Sequence, residues 1–216
     1  IKENDGLTLE REELENSLAL KQEELDFFYE LSDGAGGGLE APTTFIKDAP
    51  RDADGELTHR LLSGLQQTAA GLKPRRILEL VDELCPESFV VLDSAWKSAD
   101  EAAGFDQGNR LFQRLWRLAT TYREARLAGQ PDVVGIQVFG ANAFAARESD
   151  GIEKSPTARG ARTFSYRGEE VVMWQHLKIG VKDSVNRTLR VHFLWDPEAG
   201  RVVIGHCGKH LPVPGH

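Results

Sequence analysis

Residues 188–211 read TLRVHFLWDPEAGRVVIGHCGKHL, and their pattern decides the fold. Leu189, Val191, Phe193 and Trp195 alternate with Arg190, His192 and Leu194, the period-two signature of a half-buried strand. Asp196-Pro197-Glu198-Ala199-Gly200 supplies turn residues, and Arg201 to Gly205 forms the return strand of a hairpin. One face is apolar and anchors the hairpin, while the other presents Arg190 and His192. The ribbon ends in His206-Cys207-Gly208-Lys209-His210, groups that titrate, donate protons or bind metal. Strand alternation sends His206 and Cys207 to opposite faces. Whether His206 shares a face with Arg190 depends on a register that the five-residue turn leaves open.

Working back from the hairpin, Thr163-Phe164-Ser165-Tyr166, a turn at Arg167-Gly168 and residues 170–174 (EVVMW) predict a second hairpin. His176-Leu177-Lys178-Ile179-Gly180 leads into a polar connection over 181–187. Before these comes a polar loop, 148–162, and before that the helices. Residues 109–127 carry Leu111, Phe112, Leu115, Trp116, Leu118, Ala119 and Tyr122 on one face, with five arginines outside. Pro74 opens a helix over 74–84 with Ile77, Leu78, Val81 and Leu84 inward, and 57–72 predicts another. Phe89-Val90-Val91-Leu92 fits a strand or a buried helical turn. Over 133–146, Val134, Ile136 and Val138 alternate like a strand, whereas 139–147 favours helix. Leu7 to Leu31 has apolar residues at helical spacing between glutamates, and Gly34 to Gly38 is linker-like. The predicted class is α+β, with N-terminal and central helices packed on a C-terminal antiparallel sheet of about four strands. The predicted divisions are an acidic amphipathic helix (1–33), a flexible linker (34–55), a helical region (56–150) and an antiparallel β region (151–216).

The 216 residues carry a net charge of −8, unevenly spread. Residues 1–50 hold four Lys/Arg against thirteen Asp/Glu, whereas 151–216 hold ten against six. An acidic arm and a basic C-terminal region suit a polyanion-facing surface, or an arm that covers it. Protein docking through Leu7 to Leu31 is a second use of that helix. No apolar run approaches the roughly 18–20 residues that cross a bilayer, and no basic-then-apolar leader opens the sequence. Two distant cysteines, Cys85 and Cys207, predict no disulfide framework. A cytoplasmic protein without membrane association is expected.

Five of the six histidines lie between His176 and His216, among Lys178, Arg187, Arg190 and Lys209. Imidazoles for proton transfer beside cations for phosphate charge are the parts of a metal-independent ribonuclease. The bland alternative is that the histidines only fill the sheet face. A metal reading, with His206, Cys207, His210 and His192, suffers because His206 and Cys207 diverge and no second Cys/His pair lies at zinc spacing. No metal and no cofactor is expected. Gly205 to His210 lacks the residues of a phosphate-binding loop, and Asp52 to Glu56 lacks the later ligands of a calcium loop.

On His176-Leu177-Lys178, Leu189-Arg190-Val191-His192-Phe193, the DPEAG turn and the run from Arg201 to His210, the last third resembles the sheet of the RelE/ParE superfamily of small bacterial toxins. The resemblance spans about a quarter of the chain. It implies helices on an antiparallel sheet and a toxin-like or defence-associated protein that cleaves or binds RNA, with RNA or the ribosome as partner. It further implies His206, His210, Lys178 and His192 as catalytic residues. Arg190, Arg187, Lys209 and His176 would bind nucleic acid. The chain is about twice the length usual in that family, and its N-terminal helix would be a built-in restraint or a docking element. The competing expectation is a non-catalytic protein- or nucleic-acid-binding module with structural histidines.

Overall fold

In the computed structural model, residues 64–65, 68–180 and 188–213 are described. The chain divides into the units Ile1–Ala49 and Pro50–His216, and every described residue belongs to the second. The expected helix over 7–31, the linker, most of the helix over 57–72 and Arg187 lie outside the described residues.

The hairpin of the opening stretch is the centre of the structure. Strand β6 (Thr188–Asp196) pairs antiparallel with β7 (Arg201–Gly208) and, on its other side, with β5 (Gln175–Gly180). Asp196 Oδ1 accepts from the N–H groups of Glu198 and Ala199, and Gly200 takes φ +63°, so the turn closes through its own side chain. Two short strands extend the sheet. β1 (Phe89–Val91) runs parallel to β7, and β2 (Phe144–Ala145) pairs antiparallel with β5, giving the order β1-β7-β6-β5-β2. The hairpin β3 (Thr163–Tyr166) and β4 (Glu169–Val172) forms a separate two-stranded sheet, turning through Arg167 (φ +53°) and Gly168 (φ +82°).

These strands correct the expected sheet. It is mixed rather than antiparallel, and it has five strands with two more beside it. Residues 56–150 are not wholly helical, because they supply β1 and β2. Nor are residues 151–216 wholly β, because the polar loop folds into helices. Those are α6 (Asp150–Lys154) and α7 (Pro156–Ala161), the latter capped by Ser155 Oγ accepting from Ala158 N. The ambiguous 133–146 resolves in reverse, as helix α5 (Val134–Phe139) and then strand β2. Gly135 explains the switch: a Cβ there would stand 2.4 Å from the Phe144 ring, so the helix lies directly on the strand that follows.

Helix α1 (Pro74–Leu84) buries Ile77, Leu78 and Val81, while Leu84 is exposed. The helix over 109–127 is one rod in three parts: α3 (Gly108–Arg117), a π-turn (Leu118–Tyr122) and α4 (Arg123–Leu127). Its arginines are largely spent on the protein itself. Arg114 donates to Phe139 O, Arg123 to Gly200 O, and Arg126 pairs with Asp132.

Helix α2 (Asp93–Glu101), which the hydrophobic pattern does not announce, closes the β7 edge where β1 ends. Ser94 Oγ donates to Gly205 O at 2.7 Å, and Ser98 Oγ accepts from Cys207 N at 2.9 Å. Two serines four residues apart thereby satisfy backbone groups that would otherwise be an open strand edge.

The two faces of the sheet separate cleanly. Leu189, Val191, Phe193 and Cys207 are fully buried, and the Phe193 ring meets Tyr122 edge-on at 5.6 Å. On the opposite face Leu194 packs against the cluster of Phe164, Met173 and Val203. That leaves the end of this face beyond Met173 to polar groups.

Candidate functional site

The site is laid out by strand register. His176, His192 and His206 face one another across β5, β6 and β7, and one step along the strands Lys178 faces Arg190, which faces Gly208. Because i and i+2 of a strand share a face, both rows lie on the side away from Tyr122. A register shift between His192 and Phe193 brings His206 into the row. Phe193 pairs with Ile204 but His192 with His206, so Gly205 is an extra residue, a β-bulge. Without it His206 would fall opposite Val191, on the apolar face. Only glycine fits: a Cβ at 205 would lie 2.6 Å from Met173 Sδ and 2.8 Å from the Phe164 ring. The expected opposition of His206 and Cys207 also holds, since Cys207 pairs with Val191 and is wholly buried, its thiol pushed up to about 12 by burial.

The row is a stack. The ring centres of His176 and His192 are 4.8 Å apart, and those of His192 and His206 are 5.8 Å apart. Backbone carbonyls set the tautomers, because a carbonyl only accepts. His176 Nδ1 donates to Trp174 O (3.0 Å), His192 Nδ1 to Met173 O (3.2 Å) and His206 Nε2 to Lys209 O (2.7 Å). Each ring keeps one lone-paired nitrogen. Burial lowers the pKa of all three, most at His192, where the neighbouring imidazoles add to the effect. They are neutral bases near pH 7.

Accessibility divides the expected residues. His192 is 1% exposed, His176 5% and His206 9%, so these form a lower layer. Lys178 and Arg190 are half-buried, and Lys209 and His210 are exposed. Burial and mutual repulsion lower the pKa of Lys178, and burial lowers that of Arg190. His210 Nδ1 donates to Leu211 O (2.7 Å), which leaves Nε2 with its lone pair, and its pKa is lowered by burial with Arg190 and Arg162 contributing. His206, His210, Lys178, His192, Arg190 and His176 thus belong to one region, in two layers.

Two residues of the site carry no motif. Arg162, at the end of α7, is fully buried: Nε pairs with Glu148 Oε1 (2.7 Å), and Nη1 donates to Ala158 O and Pro212 O. It fastens the tail bearing Lys209 and His210 to the loop bearing Glu148. Glu148 Oε1 also lies 3.8 Å from His176 Nδ1. Nothing in their spacing distinguishes Glu148 from Glu153, or Arg162 from Arg159. Only the fold assembles them. One ligand atom from each of Glu148, His176 and His192 lies within 4.8 Å of the other two. Cys207 cannot join any such cluster from the far face. No helix of the described residues is long and apolar enough to cross a membrane.

No protein-family model matches this chain, and no curated protein or solved structure is significantly similar to it.

Proposed function

We propose that the chain is a RelE-like, RNA-cleaving protein, toxin-like or defence-associated, whose chemistry is acid–base and carried by its own side chains. The observation behind this reading is the register that sets Lys178 beside Arg190 on the histidine face, with His210 at the accessible rim. In this reading His210 Nε2 takes the proton of a ribose 2′-hydroxyl. The 2′-oxygen attacks phosphorus, and Arg190 and Lys178 stabilise the extra negative charge. The P–O5′ bond breaks, and the Lys178 ammonium, made more acidic by burial, protonates the leaving oxygen. His206 and His192 lie beneath and support the accessible layer. Lys209 completes the nucleic-acid surface, while His176, expected from the sequence to bind nucleic acid, is buried with the other two imidazoles and does not reach it.

The test is cleavage of messenger RNA, free and ribosome-bound, in chelating buffer. His210→Gln and Lys178→Ala should each lower the rate by roughly 100-fold or more. Unchanged cleavage by the His206→Ala/His210→Ala double variant ends the acid–base assignment.

A second reading, a nucleic-acid-binding module, is favoured by the burial and backbone hydrogen bonds of three of the histidines. It expects no turnover, and binding that weakens steeply as salt rises.

A further inference from the structure

We propose that Glu148, His176 and His192 form a binding site for a divalent transition metal of the zinc class. Two imidazoles and one carboxylate are a donor set that zinc takes, with a further position left for water or an anion. The three residues come from β5, β6 and the loop after β2, and the strand pairing holds two of them opposite each other. Their ligand atoms already lie within 4.8 Å of one another. Tetrahedral zinc with bonds near 2.1 Å needs ligand separations of about 3.4 Å, which side-chain rotation of about an ångström supplies.

The outer contacts suit ligation. Both histidines hold Nδ1 against a main-chain carbonyl, Trp174 O and Met173 O, which orients the ring and makes Nε2 the nitrogen left to ligate. At His176 it is Nδ1 that now lies 3.8 Å from Glu148 Oε1, so the Glu148 carboxylate has to swing towards Nε2 as the metal enters. Ligating histidines ordinarily carry such a bond to a carbonyl, and ligating carboxylates are themselves hydrogen-bonded, as Glu148 is by Arg162.

The opposing term is the charge of Arg162, Lys178 and Arg190. Arg162 is already paired with Glu148, whereas Lys178 and Arg190 are half-buried, where water screens them only in part. Neutral imidazole sites hold zinc without any carboxylate, so this repulsion weakens the site rather than abolishing it.

A metal here would tie the Glu148 loop to β5 and β6 beneath the accessible layer. It goes beyond the RNA reading, whose step uses His210, Lys178 and Arg190 and is measured in chelator. The experiment is cobalt titration of the full chain after chelator dialysis, without RNA. One equivalent of Co²⁺ should bind with the visible absorption of tetrahedral nitrogen–oxygen coordination, and Zn²⁺ should displace it and raise Tm. His176→Gln and Glu148→Gln should each weaken binding at least about 10-fold, whereas the exposed His210→Gln should not. Absence of the band and of any zinc-dependent Tm rise in the unsubstituted chain overturns the site, whatever the variants do. Equal affinity in folded His176→Gln and unsubstituted protein overturns it as well, and loss of binding in His210→Gln alone would place the metal at the rim instead.

Discussion

The two faces of the central sheet share strands but are held by opposite means. On one, Leu189, Val191, Phe193 and Cys207 are wholly buried against an aromatic group in which Tyr122 touches Phe139, Phe144 and Phe193. That face is stabilised by area removed from water and by close packing, and it has almost no chemistry. On the other, beyond the small apolar cluster of Phe164, Met173 and Val203, imidazoles and a buried guanidinium are held by hydrogen bonds to carbonyls and one carboxylate, beside two half-buried cations. Each such bond returns little more than the hydration it replaces. The contrast shows where stability and function lie: the apolar face keeps the strands in register, and that register lines up the polar groups.

The sharpest way to break this contrast is to empty the apolar face. Phe193 is fully buried and meets Tyr122 edge-on. Phe193→Ala should cost about 3–5 kcal/mol, the range for large aromatic truncations, seen as a lower urea midpoint with unchanged m-value. A loss under about 1 kcal/mol would mean that the Tyr122 side does not carry the fold.

A smaller effect should appear on the polar face as pH dependence. His176, His192 and His206 have folded-state pKa values below that of a free histidine, burial being the main cause. The unfolded chain therefore takes up protons first as pH falls. Stability is intact above the unfolded value near 6.5 and is lost progressively below it, down to the folded values. For each ring, every unit of separation is worth about 1.4 kcal/mol. Asp196 and Glu79, whose folded values are depressed, titrate lower still, whereas burial raises Asp82 and makes its contribution run the other way. The histidine share is therefore read from urea midpoints between about pH 7.5 and pH 5 as the difference between the unsubstituted chain and a histidine variant. His192→Leu should flatten that slope, and a profile identical to that of the unsubstituted protein would show that His192 is not buried neutral.

How far these faces were legible in the sequence differs in the same way. The apolar side of β6 shows at once, because Leu189, Val191 and Phe193 recur at period two, and the buried positions of 109–127 show through helical spacing. The second hairpin is announced by Arg167-Gly168. What stayed hidden depended on single contacts between distant segments. Helix α2 buries Ala95, Ser98 and Ala99, too small to give an apolar stripe, and its role is to bond β7 through two serines. Strand β1 is too short for periodicity, and its parallel pairing needs the whole intervening chain. The bulge at Gly205 decided the site, since it alone moves His206 from the Val191 side to that of His192. A glycine in a strand hints at a bulge but does not reveal the clash with Met173 and Phe164 that requires it. Glu148 and Arg162 belong to the site only through tertiary structure.

The smallest predicted effect concerns how the β3–β4 hairpin is attached to the polar face. Tyr166 donates to Asp196 Oδ2 at 2.7 Å, and Arg167 pairs with the same oxygen at 3.1 Å. Asp196 also holds the β6–β7 turn through two backbone N–H groups on its other oxygen. Tyr166→Phe removes one hydroxyl and no packing volume, and leaves Arg167 and the turn bonds to satisfy the carboxylate. The cost should be about 0.5–1.5 kcal/mol, measured as a shift in urea midpoint at neutral pH. A loss approaching that of Phe193→Ala would mean that this carboxylate anchors the fold as strongly as the apolar core does. The division of labour between the faces would then fail, because a single hydrogen bond on the polar side would be supporting the register that the aromatic side is argued to supply.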